Sequence, residues 1–126
     1  MIRTGEEYRQ SIRDAREVYV NGERVDDVTR HAMFKPLVDI RARIYDMAHE
    51  AGTRDVMTYE EGGERFAIAL KLPHTQQDWC DKRRATDAVF HDIKGVVTRV
   101  GDETVGEMWS LYDGREVLDE VDPQFS

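Results

Sequence analysis

Residues 4–25 open with Thr4-Gly5-Glu6-Glu7 and close with Val18-Tyr19-Val20-Asn21-Gly22-Glu23-Arg24-Val25, and they contain both kinds of structure that the chain uses. The Thr4 side chain can cap a helix while the Glu7 carboxylate reaches back to the Thr4 amide. The apolar residues then alternate around Asn21-Gly22, a pair that tolerates positive φ and suits a type I′ turn. The stretch therefore predicts a capped helix followed by a β-hairpin.

Outward from this stretch, helical spacing of apolar residues predicts three more helices, over about 32–51, 75–98 and 103–112. Pro36 falls in the first turn of the first of these, where proline is tolerated, and Gly52 is a natural stop. In the second, Thr75 is the predicted cap, and we expect one side of the helix to carry Trp79, Thr86, Val89, Phe90, Ile93 and Val97.

A second hairpin is predicted around Gly62-Gly63, because Phe66, Ile68, Leu70 and Leu72 alternate strictly up to Pro73. The expected fold is therefore mainly α with two small β-hairpins. We expect one helical domain over residues 1–114, followed over 115–126 by an acidic connector or tail without an element of its own.

Composition narrows the class of protein. The 126 residues carry 18 Lys and Arg against 26 Asp and Glu, a formal charge of −8, which disfavours nucleic acid or an anionic membrane as the main partner. There is no long apolar run and no signal-like N-terminus, and the single cysteine, Cys80, excludes an internal disulfide. These features predict a soluble, cytoplasmic protein without a metal site, since the four histidines are scattered.

Two groups of charged residues are candidates for chemistry. Arg83 falls on the same predicted helix side as Trp79, so we expect it to be half-buried and paired with a carboxylate of a neighbouring helix; an anionic ligand group is the alternative. Arg99, Asp102 and Glu103 lie at the predicted junction of two helices, where charged side chains often border a cleft. A capped junction with solvated charges is the alternative there.

Several stretches resemble the N-terminal domain of the 4-hydroxyphenylacetate 3-monooxygenase family, the oxygenase components that hydroxylate phenols with reduced flavin. The resemblance covers nearly the whole chain. It is carried by Arg3-Thr4-Gly5-Glu6-Glu7-Tyr8, Arg13-Asp14, Arg16-Glu17-Val18-Tyr19, Gly22-Glu23-Arg24-Val25, Asp27-Val28-Thr29, His31, Tyr45-Asp46, His49, Arg54-Asp55-Val56-Met57-Thr58-Tyr59, Leu72-Pro73 and Arg83-Arg84.

This resemblance implies the N-terminal helical domain of an acyl-CoA-dehydrogenase-like flavoenzyme. Members of the family also carry a central β-barrel domain and a C-terminal four-helix bundle. The chain is therefore expected to act as a small subunit, completed by a larger oxygenase polypeptide that binds most of the reduced FAD. A truncated product is the alternative. A separate flavin reductase is also implied, and the aromatic substrate would be hydroxylated through a flavin hydroperoxide.

The same resemblance implies the site residues. In the family, an Arg and a Tyr four residues later bind the phenolic oxygen, and the matching positions here are Arg99 and Glu103, with Asp102 retained and Gly101 in place of a Pro. A carboxylate at 103 would repel a phenolate, but it could accept a hydrogen bond or act as a base. The implied substrate is thus a phenol or a related aromatic or heteroaromatic compound.

Three other functions remain open at this point. The chain could be a non-catalytic assembly or regulatory module that kept the domain fold, which the Tyr-to-Glu difference at 103 favours. It could belong with the 4-hydroxybutyryl-CoA dehydratases of the same superfamily, although their iron-sulfur cluster needs several thiolates and the chain has only Cys80. It could also be a stand-alone binding protein.

Overall fold

The computed structural model describes residues 2–96 and 102–125. The element order begins with α1 (Gly5–Ser11), the hairpin β1 (Val18–Val20) and β2 (Glu23–Val25), and α2 (Lys35–Met47). It continues with α3 (Arg54–Met57), the hairpin β3 (Thr58–Glu61) and β4 (Glu64–Ala67), and a 3-10 helix (Ile68–Leu70). It ends with α4 (Gln76–Asp92), α5 (Asp102–Asp113), α6 (Arg115–Val121) and a final 3-10 turn (Pro123–Phe125). The expected mainly α fold with two hairpins is confirmed.

The predicted opening helix and first hairpin are both confirmed. Thr4 and Glu7 form the full capping box, with the Thr4 amide donating to Glu7 Oε2 at 2.7 Å. At the hairpin tip Asn21 and Gly22 have φ values of 52° and 85°, as a type I′ turn requires, and β1 pairs antiparallel with β2. Both elements were predictable because their signals are local in the sequence.

The helix predicted over 32–51 is shorter than expected. α2 contains Pro36 in its first turn, as predicted, but it ends at Met47 rather than near Gly52. The chain tightens there into bonds of 3-10 type, from the Ala48 amide to the Tyr45 carbonyl and onward, and the Thr53 hydroxyl donates to the Met47 carbonyl at 2.6 Å. These contacts satisfy the helix end before Gly52 is reached.

The second hairpin is confirmed, but its second strand is not as long as predicted. β4 ends at Ala67, and the residues from Ile68 to Leu70 form a 3-10 helix instead of continuing the alternation to Leu72. Ile68 is buried in the core, whereas Leu70 is 59% exposed. The strand prediction was wrong beyond Ala67 because the chain turns there to pack against α4.

α4 begins at the predicted cap, Thr75, and ends at Asp92, six residues before the predicted end. Val89 and Ile93 of the predicted side are buried, whereas Trp79 is 57% exposed and Phe90 is 37% exposed. Val97 lies outside the described residues. The side that packs inward carries Asp78, Ala85 and Val89. Asp78 and Ala85 were not predicted on this face, because a capping carboxylate and a single methyl group add little to an apolar sequence pattern.

The core lies between α2, α3, the 3-10 helix and α4, and Met47 and Val89 are its most completely buried large side chains. Its buried members are Met47, Ala48, Met57, Ile68, Ala85, Val89 and Ile93.

α5 is confirmed over the predicted 103–112 region. The segment after Gly114 was expected to lack an element, but Arg115–Val121 forms α6, with Glu116 in its acidic first turn. The described part contains no helix long and apolar enough to cross a membrane.

Candidate functional site

The predicted site residues fall at the edge of the described chain. Arg99 lies outside the described residues. Asp102 and Glu103 belong to the first turn of α5, and their side chains are also outside the described part. The substrate-binding and catalytic roles implied for these three residues therefore stay predictions, and the geometry that can be described is that of the groove beside α5.

A groove of about 1510 Å³ runs between α2, the 3-10 helix with the residues after it, α4 and α5. Its walls are mostly apolar: Ile44 comes from α2, Ala48 from the C-cap that follows it, Leu70 and Leu72 from the segment before α4, and Trp79 from α4. Trp109 and Tyr112 contribute the wall from α5. A surface of this kind on a small protein is typical of a binding or docking site.

Two tryptophans form the aromatic corner of this groove. Trp79 and Trp109 meet edge to face, with ring centroids 6.4 Å apart. Trp79 nevertheless remains 57% exposed, and Tyr112, further along α5, is exposed to the same degree. The aromatic surface is thus only partly covered by the described chain.

Lys82 lies beneath the same corner and joins three elements. Its Nζ donates to the carbonyl of Ile68 at 3.0 Å and to that of Ala69 at 2.7 Å, and it lies 4.1 Å from the centroid of the Trp109 ring. Sequence reasoning did not single out this residue. The only signal for it is a lysine one turn beyond Asp78 on a helix, and many surface lysines share that placement.

At the start of α4, Asp78 is buried, being only 8% exposed. Its carboxylate accepts hydrogen bonds from the amides of His74 and Thr75 and pairs with Lys71 Nζ at 2.5 Å. The Lys71 ammonium and the Thr75 hydroxyl hold the pKa of Asp78 well below its usual range. Asp78 is therefore an ionised cap that fixes the N-terminal end of α4 beside the groove.

The arginines near the groove differ in their partners. Arg83 was expected to be half-buried and paired with another helix, but its side chain is 79% exposed and pairs with Asp87 of its own helix. Arg84 likewise pairs with Asp81 one turn away. Arg41 on α2 is half-buried, lines the groove and has no ion pair with any described residue. The prediction for Arg83 was wrong because this residue lies on the side of α4 that is exposed to solvent.

The opening residue block that carries the family resemblance has a structural role. The Gly5 amide donates to Asp46 Oδ1 at 2.7 Å, and the rings of Tyr8 and Tyr45 stack with centroids 5.1 Å apart. The Arg3 guanidinium lies over the Tyr45 ring, 5.4 Å from its centroid. These contacts pack α1 against α2, and α2 in turn forms one wall of the groove.

Metal and thiol chemistry have little support in this geometry. Among the described residues, no group of three His, Cys, Asp or Glu side chains is arranged to hold a metal ion. His49 Nε2 lies 3.2 Å from the Arg3 carbonyl, which is a structural contact. Cys80 is exposed and lines the groove, so its thiol lies at the surface of the described part.

The described residues do not fit a complete flavin site. A flavin dinucleotide needs a cradle for its diphosphate, such as converging backbone amides or unpaired cations. Of the groove's cations in the described part, Lys82 is bound to carbonyls, and Arg83 and Arg84 are paired with carboxylates. Among the groove's described arginines and lysines, only Arg41 has no such partner, so a flavin diphosphate would need further polypeptide to hold it.

Comparison with known proteins agrees with the sequence resemblance. The family model described as 4-hydroxyphenylacetate 3-hydroxylase N terminal matches residues 4–126. A 4-hydroxyphenylacetate 3-monooxygenase oxygenase component from Pseudomonas aeruginosa is 44% identical over 86 residues, which cover 68% of this chain and 16% of that protein. A match to the oxygenase component from Geobacillus sp. takes in 98% of this chain and 25% of that protein, so the chain spans about a quarter of the length of its curated relatives.

Two solved structures are similar in fold. The oxygenase component of 4-hydroxyphenylacetate 3-monooxygenase, complexed with FAD, is 32% identical with a TM-score of 0.67, and the match covers 71% of this chain and 19% of that one. An archaeal 4-hydroxybutyryl-CoA dehydratase from N. maritimus has a TM-score of 0.64 at 22% identity, over 73% of this chain and 19% of that one, which shows the fold alone. With the family model matching almost from end to end, the chain belongs to the 4-hydroxyphenylacetate 3-hydroxylase N-terminal family.

Proposed function

We propose that the chain supplies the N-terminal helical domain of a reduced-flavin-dependent aromatic monooxygenase in the cytoplasm. In this proposal a larger oxygenase polypeptide carries the central β domain and the C-terminal helical domain, and a separate reductase supplies reduced FAD. Family membership supports the reaction class, and a related oxygenase component has been solved with FAD. The relatives' much greater length supports the need for further polypeptide.

The observation that carries the proposal is the apolar groove between α2, α4 and α5, which the described residues leave open. Leu70, Trp79 and Tyr112 line it and are each more than half exposed. Burying such surface against another polypeptide is favourable by about 25 cal/mol for each Å² removed from water. A partner seated there would also place its own residues beside the start of α5, where Asp102 and Glu103 lie in the sequence.

In the assembled enzyme we assign substrate contact to Arg99, Asp102 and Glu103. A guanidinium at 99 stabilises the ionised oxygen of a phenol, and a phenolate ring is a better nucleophile than the neutral phenol. The Glu103 carboxylate suits a substrate that donates an N–H or O–H group, or a base that takes the phenolic proton. The substrate class is therefore a phenol or an aromatic heterocycle with a donor group beside the position that is hydroxylated.

Native mass spectrometry on the complex recovered from the host through this chain tests the proposal, with flavin measured in the same sample. We expect a larger partner of roughly three to four hundred residues, sized to carry the central and C-terminal domains of the family, and FAD that is bound or readily added. A bare monomer or homo-oligomer that ignores flavin would contradict it.

A second candidate is a non-catalytic assembly or regulatory module with the same fold and partner. The observation that favours it is the Glu103 carboxylate at a position where the family resemblance implies a Tyr. This module would still bind the larger polypeptide, so recovery of the complex does not separate the two candidates. Substitution of Arg99 and Glu103 separates the two candidates, because only a catalytic domain would lose activity.

A further inference from the structure

Where α4 meets α5, Lys82 and Trp109 are in contact, and Lys82 also binds the 3-10 helix. We call the Lys82 ammonium, the carbonyls of Ile68 and Ala69, and the Trp109 ring the Lys82–Trp109 clasp. The donor distances are 3.0 Å and 2.7 Å, and the Nζ lies 4.1 Å from the ring centroid. One half-buried side chain thus connects α4, the 3-10 helix and α5.

The chemistry of this contact requires a lysine. An ammonium has three donors and a compact charge, which lets it serve two carbonyls at once and still face an indole ring. Attraction between a cation and an indole face is strongest when both are removed from water, as at this half-buried corner. The edge-to-face packing of Trp79 fixes the Trp109 ring from another direction.

The clasp matters because of what α5 carries. α5 begins at Asp102, and Trp109 lies about two turns further along the same helix. Because α5 is one continuous helix of 12 residues, a contact at Trp109 also limits how far the backbone of its first turn can move. Arg99 precedes that turn by three residues in the sequence.

We propose that Lys82 is a positioning residue, which holds α5 against the 3-10 helix, and that the assembled enzyme needs α5 in this position to bind its aromatic substrate. This role rests on the proposed function. It assigns no direct contact between Lys82 and the substrate, and the effect of Lys82 is transmitted through the Trp109 ring and the axis of α5.

The first test uses hydrogen exchange on the chain itself. Lys82→Met keeps the aliphatic stem and removes the ammonium, and we expect amide exchange in residues 105–113 to become about tenfold faster while α2 stays unchanged. Lys82→Arg, which keeps a cation over the ring, should restore part of the protection. Lys35→Met removes an exposed lysine far from the groove and should match the unmodified chain. Unchanged exchange in α5, or an equal increase in α2, would overturn the clasp.

The second test uses the assembled enzyme with its partner and reduced flavin. If Lys82 positions the substrate site, Lys82→Met raises KM for the aromatic substrate about tenfold and lowers the product formed per oxygen consumed, with a smaller change in kcat. An unchanged KM and product yield, despite faster exchange in α5, would overturn the positioning role. If Lys82→Met does not fold, Trp109→Leu removes the same contact from the Trp109 side. The exchange and kinetic tests are then made with that variant, and the same outcomes apply.

The two tests also separate this inference from the proposed function. If the unmodified complex has no aromatic hydroxylation, the proposed function fails and the assignment of Lys82 to a substrate site fails with it. The exchange experiment still judges whether Lys82 holds α5. If hydroxylation is present and only the Lys82 variants behave normally, the positioning role alone is wrong.

Discussion

The Gly5 amide donates to Asp46 Oδ1 at 2.7 Å, and this bond brings the first turn of α1 directly against α2. A Cβ built on Gly5 would lie 2.6 Å from the Ala42 carbonyl oxygen and 2.6 Å from Asp46 Oδ2. Because the Ala42 oxygen belongs to the backbone, a side-chain rotation cannot relieve its contact with the added Cβ. The glycine of the opening sequence block is thus required by the close approach of two helices.

Gly5→Ala is expected to destabilise the chain by about 1–3 kcal/mol, since α1 must move away from α2 to accommodate the methyl group. Alanine is otherwise the better helix former, so propensity alone predicts the opposite sign. Urea unfolding measures the difference. Gly52→Ala is the matched control, because a Cβ there meets nothing within 4 Å. Equal stability of Gly5→Ala and the unmodified chain would contradict the close contact.

Asp78→Asn tests the ionised cap of α4. The pKa of Asp78 is lowered by the Lys71 ammonium and by hydrogen bonds from Thr75 and His74, so its charge stabilises the fold above the usual carboxyl pKa of about 3.9. That stabilisation is lost as the pH falls below this value toward the lower pKa of the folded state. We therefore expect the urea midpoints of the unmodified chain and Asp78→Asn to differ at pH 6 and to converge on acidification toward pH 2.

Asp87→Asn is the control for this experiment, because Asp87 is an exposed residue of the same helix, and its one ion pair among the described residues is with Arg83. Its midpoint should follow that of the unmodified chain at every pH. A difference for Asp78→Asn that is the same at pH 6 and pH 2 would mean that the carboxylate charge does not contribute.

Arg99→Ala and Glu103→Gln test the site implied by the family resemblance. In the assembled enzyme we expect Arg99→Ala to weaken substrate binding by about tenfold to a hundredfold, as loss of a charge-assisted hydrogen bond does, while the complex still forms. Steady-state kinetics and native mass spectrometry measure the two effects. If the variant that combines Arg99→Ala with Glu103→Gln retains full activity and full assembly, the site does not use these residues. The assembly-module candidate is then favoured.

Cys80 reports on whether the groove is covered. Its thiol is exposed and lines the groove, so a partner seated there should slow its reaction with a thiol reagent. Mass spectrometry of the labelled chain, alone and in the complex, measures the two rates. A control variant that combines Cys80→Ser with Arg24→Cys places the thiol at the first hairpin, away from the groove, and should react equally in both samples. An unchanged rate at Cys80 would show that the partner binds elsewhere.

The sequence predicted the elements whose signals are local. The Thr4 and Thr75 capping boxes each depend on a residue three positions away, and the Asn21-Gly22 turn depends on the φ values of two neighbouring residues. Family resemblance also predicted the fold class correctly. These parts could be predicted because no distant contact changes them.

Other parts depend on contacts that no local pattern contains. Ile68 fits a strand pattern, yet Lys82 of α4 binds its carbonyl and that of Ala69, which matches a 3-10 helix and not a ladder. Trp79 fits a buried helix face, yet it lines an open groove. Arg99, Asp102 and Glu103 were singled out from the resemblance and remain predictions. The groove itself was not predicted, because it arises from the packing of helices distant in the sequence.

The docking of α1 onto α2 also constrains the order of events during synthesis. Gly5 and Asp46 are 41 residues apart in the chain, and α1 has only seven residues, too few for a stable helix in isolation. α1 therefore has no surface to pack against until α2 has left the ribosome. The N-terminal segment emerges first but becomes ordered only with the arrival of residue 46, so a nascent chain arrested before that point should leave the opening block accessible to proteases and chaperones.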